Sequence, residues 1–148
     1  MRVVLQVVKN ASCTIDDKIY SEIGKGFLLL VGFTAGDTKE TVNKMIDKII
    51  SLRLFPDENG KTNLGFMDTN GQILCISQFT LYADVKKGRR PSFVDAMRPE
   101  EASLLYDYTI EYIKNYVPDV KKGIFGADMK IQLLNDGPFT LMIDSKDL

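Results

Sequence analysis

The 148-residue chain has no histidine. That absence removes Ser–His and Cys–His nucleophile pairs, the zinc-deaminase and HExxH arrangements, and most ordinary zinc sites. It also removes the side chain that usually moves protons near neutral pH. Cysteine is scarce: Cys13 and Cys75 stand far apart with no C-x-x-C spacing, and read as buried reduced thiols of a cytosolic protein. No metal site and no cofactor are expected from such a set. Excess charge is missing as well. Lys+Arg number 19 against Asp+Glu 20, a net of −1, so no overall field draws the chain to nucleic acid or a membrane. Any contact with a polyanion has to come from a local patch. The longest apolar run, Phe27 to Val31, is far short of the ~20 residues of a membrane span. The start, Met1-Arg2-Val3-Val4, lacks the apolar stretch of a signal peptide. The expectation is a soluble, cytoplasmic protein with no membrane partner.

What is present suits one folded unit. Hydrophobic residues make up 45% and charged residues 26% of the chain, and its length matches a prior of roughly 150 residues per domain, so 1–148 is read as a single domain. Val3 to Val8 is apolar on both alternating faces, as in a strand covered on two sides. Ser12–Ile15 and Lys18–Ile23 flank Asp16-Asp17, a hairpin with a tight polar turn. Phe27–Val31 is another buried strand. Asp37 with Glu40 has capping-box spacing, and opens a helix whose Val42, Met45, Ile46, Ile49 and Ile50 share one face. Asn70-Gly71 is the strongest hairpin signal, and Gln72 to Phe79 follows as a strand. Pro99-Glu100-Glu101 opens a second helix with a stripe of Leu105, Tyr108, Tyr112, Ile113 and Tyr116. Ala127–Leu134 and Phe139–Ile143 read as strands joined by a turn at Asn135-Asp136-Gly137-Pro138. The order predicts an α+β domain: a mostly antiparallel or mixed, barrel-like sheet with two helices packed on it.

Three segments can carry chemistry. In Ser77-Gln78-Phe79-Thr80, hydroxyls and a carboxamide interrupt the apolar pattern at the end of a strand. Their ordinary role is to satisfy nearby backbone groups, and as nucleophiles they would need an activating base. The loop from about 83 to 98 is long for a compact domain. Its Lys86-Lys87-Gly88-Arg89-Arg90 puts four cations in five positions, suited either to phosphates or to solvent. Gly137-Pro138 reads locally as a turn, although glycine also lets a backbone approach a ligand closely.

These same segments are recognisable together. MRVVLQ, SQFTLYAD, KKGRRPSF, FGADM and NDGPFTLMID occur in one unbroken order from Met1 to Ser145, and resemble the D-aminoacyl-tRNA deacylases. The resemblance implies an enzyme that hydrolyses the ester between a D-amino acid, or glycine, and the terminal adenosine of tRNA, a chiral proofreading step in translation. It implies a homodimer in which a cis Gly137–Pro138 of one subunit enters the partner's active site and reads the α-amino group through backbone carbonyls. The segment Ser77, Gln78, Phe79 and Thr80 would line that site. Ala96, Phe125 and Met129 would wall the adenosine pocket, and Lys86, Lys87, Arg89 and Arg90 would meet tRNA phosphates. Catalysis is implied either through Thr80 as nucleophile or with help from the ribose hydroxyl of the RNA.

That division of labour is physically sound. Enantiomers share hydrophobicity and charge, so only rigid geometry separates them, and rejecting the L form by a clash achieves this. An aminoacyl ester is already activated, so the site has mainly to position water and stabilise an oxyanion. One position departs from the pattern: Leu5-Gln6-Val7-Val8 has valine where members commonly carry arginine, and valine supplies none of a guanidinium's hydrogen bonds. Two other readings use the same residues: an animal-type deacylase that clears L-alanine from mischarged tRNA, and a non-catalytic module that binds RNA ends.

Overall fold

A computed structural model describes residues 1–148. Strand β1 (Arg2–Ile15) is the spine of the sheet. It turns at Asp16-Asp17, both at positive φ (50° and 60°), into β2 (Lys18–Ile23). A two-residue turn of this hand matches the right-handed twist of its strands, as the sequence predicts. The first half of β1 then pairs antiparallel with β3 (Gly26–Gly32), and its second half with β2. β6 (Gln72–Ser77) lies parallel to β3, and the short β7 (Lys121–Lys122) parallel to β6. The long β8 (Lys130–Asp144) runs antiparallel along the other side of β1. Between β3 and β6 come helix α1 (Lys39–Ser51) and a small ribbon of β4 (Phe55–Pro56) and β5 (Thr62–Leu64). Helix α2 (Pro99–Ile113) packs beside α1. The result is a mixed sheet curled towards a barrel with two helices on it, the predicted architecture.

The two faces of the sheet bury different sets. Val3, Leu5, Leu29 and Val31 lie under the helices with Met45, Ile46, Ile49 and Ile110, beside a cluster of Phe27, Phe55 and Phe66. Val8, Cys13, Leu28, Leu74 and Ile76 form the inner cluster, with Ile131 and Leu133 from β8. All five apolar residues predicted for the first helix are buried.

Five local readings change. The cap of α1 is Thr38, in a capping box with Thr41, rather than Asp37 with Glu40. The Asp37 carboxylate is already engaged: it accepts from the Met1 ammonium at 2.6 Å and from the Thr34 amide at 2.8 Å. Asn70-Gly71 is a turn but makes no hairpin, because β6 pairs with β3 and not with the segment before the turn. Phe79 has left the strand and begins a 3-10 turn, Phe79–Tyr82. The buried stripe of α2 is Ala102, Leu105, Tyr106, Thr109, Ile110 and Ile113. Tyr108, Tyr112 and Tyr116 are half-buried at the seam with α1, where their hydroxyls donate to Asn43 and, from the last two, to Asp47. Finally, the last two expected strands are one: β8 starts at Lys130 and pairs with β1 both before and after Gly137-Pro138. That dipeptide is an interruption in a strand and does not reverse the chain.

Candidate functional site

Ser77 ends β6 opposite Val31 of β3, and the Gln78 amide donates to the Val31 carbonyl at 2.7 Å. The chain then tightens into the 3-10 turn that carries Phe79 and Thr80. Gly32 makes room for this: a Cβ there would lie 2.8 Å from the Gln78 carbonyl oxygen and 3.1 Å from Leu81 Cβ. The far end of the turn is fastened by Arg2. Its Nη1 donates to the Leu81 carbonyl and its Nε to Asp144, both at 2.9 Å, and the guanidinium lies 4.6 Å from the centre of the Tyr82 ring. The hydrogen bond to Asp144 raises the Arg2 pKa above its ordinary value. Burial pushes the Asp144 carboxyl up, but Arg2 and the Lys146 amide outweigh it and hold the group below the usual range. The ion pair ties β1 to β8, and the second Arg2 hydrogen bond adds the 3-10 turn.

Beside the turn opens a cavity of about 710 Å³. Ser77, Gln78 and Phe79 form one side, Phe125 through Met129 another, and Phe93, Val94 and Ala96 through Pro99 the rim. The structure thus collects six sequence-predicted residues around one space: Ser77, Gln78, Phe79, Ala96, Phe125 and Met129. Thr80, the next residue of the turn, does not line the cavity; it is exposed, with its hydroxyl 2.5 Å from Gln78 Nε2. The first two amides of the turn, Phe79 and Thr80, have no backbone acceptor, as expected at the start of a helical turn. Phe79 is 55% exposed and meets Phe93 edge-on, with ring centres 5.0 Å apart. This apolar mouth has the makings of a stacking platform for a flat ring.

The remaining predicted residues lie outside the cavity. Lys86, Lys87, Arg89 and Arg90 are exposed on a loop pinched at its base by paired hydrogen bonds between Asp84 and Ser92, 2.8 Å each. Phe93 and Val94 follow at once, so the cations spring from the cavity rim. Gly137 and Pro138 are exposed on β8 and do not line the cavity of their own chain. Their peptide bond is cis.

Sequence reasoning missed several participants. Val94, Met97 and Arg98 line the rim, and Asp128 the opposite wall, where it pairs with Lys130 at 2.7 Å. Their signal was the unusual length of the loop before Pro99 and the position of Asp128 inside FGADM. Arg2 and Asn135 stand inside the recognisable MRVVLQ and NDGPFTLMID segments, but nothing in the sequence reveals their hydrogen-bond partners. The buried cysteines hold no reactive thiolate: burial pushes the Cys75 thiol up to about 12, and Cys13 is raised for the same reason.

A D-aminoacyl-tRNA deacylase of Clostridium acetobutylicum is 47% identical over 146 residues, covering 99% of this chain and 98% of the relative. One from Lactobacillus delbrueckii subsp. bulgaricus is 54% identical over 145 residues, covering 97% and 99%. Among solved structures, one described as c-Myc DNA Unwinding Element Binding Protein superposes with a TM-score of 0.92 at 41% identity, over 97% of this chain and 98% of that one. Residues 4–144 match the family described as D-Tyr-tRNA(Tyr) deacylase, and the chain belongs to that family.

Proposed function

We infer that this chain hydrolyses the ester of D-aminoacyl-tRNA, and of glycyl-tRNA, freeing the tRNA and the amino acid as a chiral proofreading step in the cytoplasm. The observation that carries the reading is the single cavity around Ser77, Gln78 and Phe79 on one side and Phe125 and Met129 on the other, in a chain of this family. Its apolar wall, with Ala96, Phe125 and Met129, receives the terminal adenosine. The aminoacyl ester then lies against the 3-10 turn. Water attacks the ester carbonyl, and the Phe79 and Thr80 amides, which have no backbone acceptor, stabilise the oxyanion that develops. Gln78 and Thr80 order the polar edge of the site.

Proton transfer has no imidazole to use. The ionisable residues of the cavity wall are Arg98 and Asp128, and the latter is held by Lys130. The substrate itself carries a vicinal ribose hydroxyl next to the ester, which can shuttle the proton between attacking water and leaving oxygen. The chemistry then needs no cofactor. The cationic loop meets tRNA phosphates, adding affinity without entering the reaction.

The working unit is a homodimer. Gly137-Pro138 projects from β8 with no cavity of its own to serve, and a second subunit's site is the place where its carbonyls would meet a substrate α-amino group. The outer edge of β8 also exposes Leu134 and Met142, 53% and 63% accessible, which a partner would cover. The test is to incubate the protein with tRNA charged with D-Tyr, L-Tyr or L-Ala and to measure ester loss. Rapid loss of D-Tyr alone is expected. Preferential clearance of L-Ala would establish the animal-type activity instead, and binding without any ester loss would leave an RNA-end module.

A further inference from the structure

We propose that Asn135 is the positioning residue that sets the Gly137-Pro138 tip, and so a determinant of stereochemical selectivity. This rests on the reading of that tip as the chiral screen. The starting observation is the register of β8 on β1. Asn135 pairs with Val8 and Thr140 with Gln6, so the four residues 136–139 stand against the single residue Val7. An ordinary bulge sets two residues against one. Here the strand must throw out a small loop, with glycine, the freest of residues, inside it.

Asn135 closes that loop across its base. Its Oδ1 accepts from the Phe139 amide at 2.9 Å, and its Nδ2 donates to Thr140 Oγ1 at 2.8 Å. The orientation of the carboxamide is forced, since a backbone N–H can only meet the oxygen end. Thr140 Oγ1 is further engaged by Gln6 Nε2 at 3.4 Å, from the neighbouring strand. Across the ladder, Val7 is buried in the core and has no polar atom to offer. One carboxamide thus holds both residues at which the loop rejoins the sheet. Phe139 adds an apolar anchor by packing on the core, and Gly137 and Pro138 are left at the exposed tip.

Gly137 is coupled to the same clamp. Its φ is +145°, and a Cβ there would lie 2.9 Å from the Phe139 nitrogen, the atom whose proton Asn135 accepts. A side chain at 137 and the loss of Asn135 therefore act on one amide from opposite sides. Discrimination between mirror-image substrates depends on where the tip stands, and displacements near 1 Å can cost about a hundredfold in such settings. The clamp controls that placement without touching substrate.

The test compares kcat/KM for D-Tyr-tRNA and L-Tyr-tRNA in the full-length protein and in Asn135→Ala, Asn135→Asp and Gly137→Val. Asn135→Ala is expected to lower the D-over-L ratio by about tenfold or more while leaving KM for D-Tyr-tRNA within about twofold, because tRNA contacts lie elsewhere. Asn135→Asp keeps an acceptor for the Phe139 amide and should recover most of the ratio. A purely structural role would lower both substrates' rates together and leave the ratio unmoved, and that result would overturn the proposal. An unchanged ratio in Asn135→Ala with a collapsed ratio in Gly137→Val sinks the clamp but keeps the tip as the screen. An unchanged ratio in both removes the screen itself. Should Asn135→Ala fail to fold, amide exchange in the wild-type protein decides: the Phe139 amide is expected to exchange at least about tenfold more slowly than in an unstructured peptide, and free exchange would refute the hydrogen bond on which the clamp depends.

Discussion

Thr80 is the side chain on which two chemistries divide. Its hydroxyl is exposed on the turn beside the cavity-lining Phe79, and its one side-chain partner is Gln78 Nε2 at 2.5 Å, a donor that cannot accept its proton. No histidine exists in the chain, and the one carboxylate on the cavity wall, Asp128, is paired with Lys130 at 2.7 Å. Thr80→Ala then removes one exposed hydrogen bond, worth about 0.5–1.5 kcal/mol. Converted to rate, that is a loss of about two- to thirteenfold if the bond is felt fully in the transition state. A nucleophile would behave differently: removing one typically costs about 10⁴–10⁶ in rate. Single-turnover hydrolysis of D-Tyr-tRNA under excess enzyme separates these ranges by at least two orders of magnitude. A loss beyond about 10³ with unaltered fold and tRNA binding, or an aminoacyl ester trapped on Thr80, would refute the argument and make the side chain the reacting group.

Three further outcomes follow from the same geometry. Gly32→Ala places a methyl 2.8 Å from the Gln78 carbonyl, so the 3-10 turn must shift; a stability loss of about 1–3 kcal/mol by denaturant titration and a larger fall in kcat than in Thr80→Ala are expected. Neutralising Lys86, Lys87, Arg89 and Arg90 should raise KM for tRNA and flatten its salt dependence with kcat nearly unchanged, and a collapse of kcat at saturating tRNA would place one of them in the reaction. The hydrogen bond to Asp47 pushes the Tyr112 phenol up to about 12 from 10.0. Because the folded value lies above the unfolded one, the associated stability is complete below pH 10 and is lost as pH rises through about 12. Denaturant midpoints measured across that window should decline less steeply in Asp47→Ala, and an unchanged slope would show that the bond contributes nothing.

How far the sequence could be read depended on whether the deciding partner lay nearby in the chain. Helix α1 announced itself because its five buried residues recur at helical spacing, and that period needs no distant information. The β1–β2 hairpin did so because Asp16-Asp17 suits the positive φ values of the turn. The cap of α1 was misread because the Asp37 carboxylate is claimed by the Met1 ammonium, 36 residues away, and no local pattern encodes that competition. Tyr108, Tyr112 and Tyr116 were assigned to the core by period alone, whereas Asn43 and Asp47 of the other helix draw their hydroxyls to the seam.

The site divides along the same line. Ser77, Gln78 and Phe79 were legible because polar groups interrupt a buried strand, and the structure does bring them to a cavity. The role of the rim was not, since Phe93 and Arg98 read only as parts of a long loop until α2 and β6 bring that loop against the 3-10 turn. Asn135-Asp136-Gly137-Pro138 is the sharpest instance. Two apolar, strand-like runs flanking a turn signal describe a hairpin and an interrupted strand equally well. What separates the two is whether both runs find the same neighbour. β1 is 14 residues long and pairs with β8 from Arg2 to Thr14, so it can hold both runs in one direction, and four residues must then leave the ladder. The length of the first strand thus determines the shape of a motif more than 120 positions later, and only a chain already folded around β1 presents Gly137-Pro138 as a projecting tip.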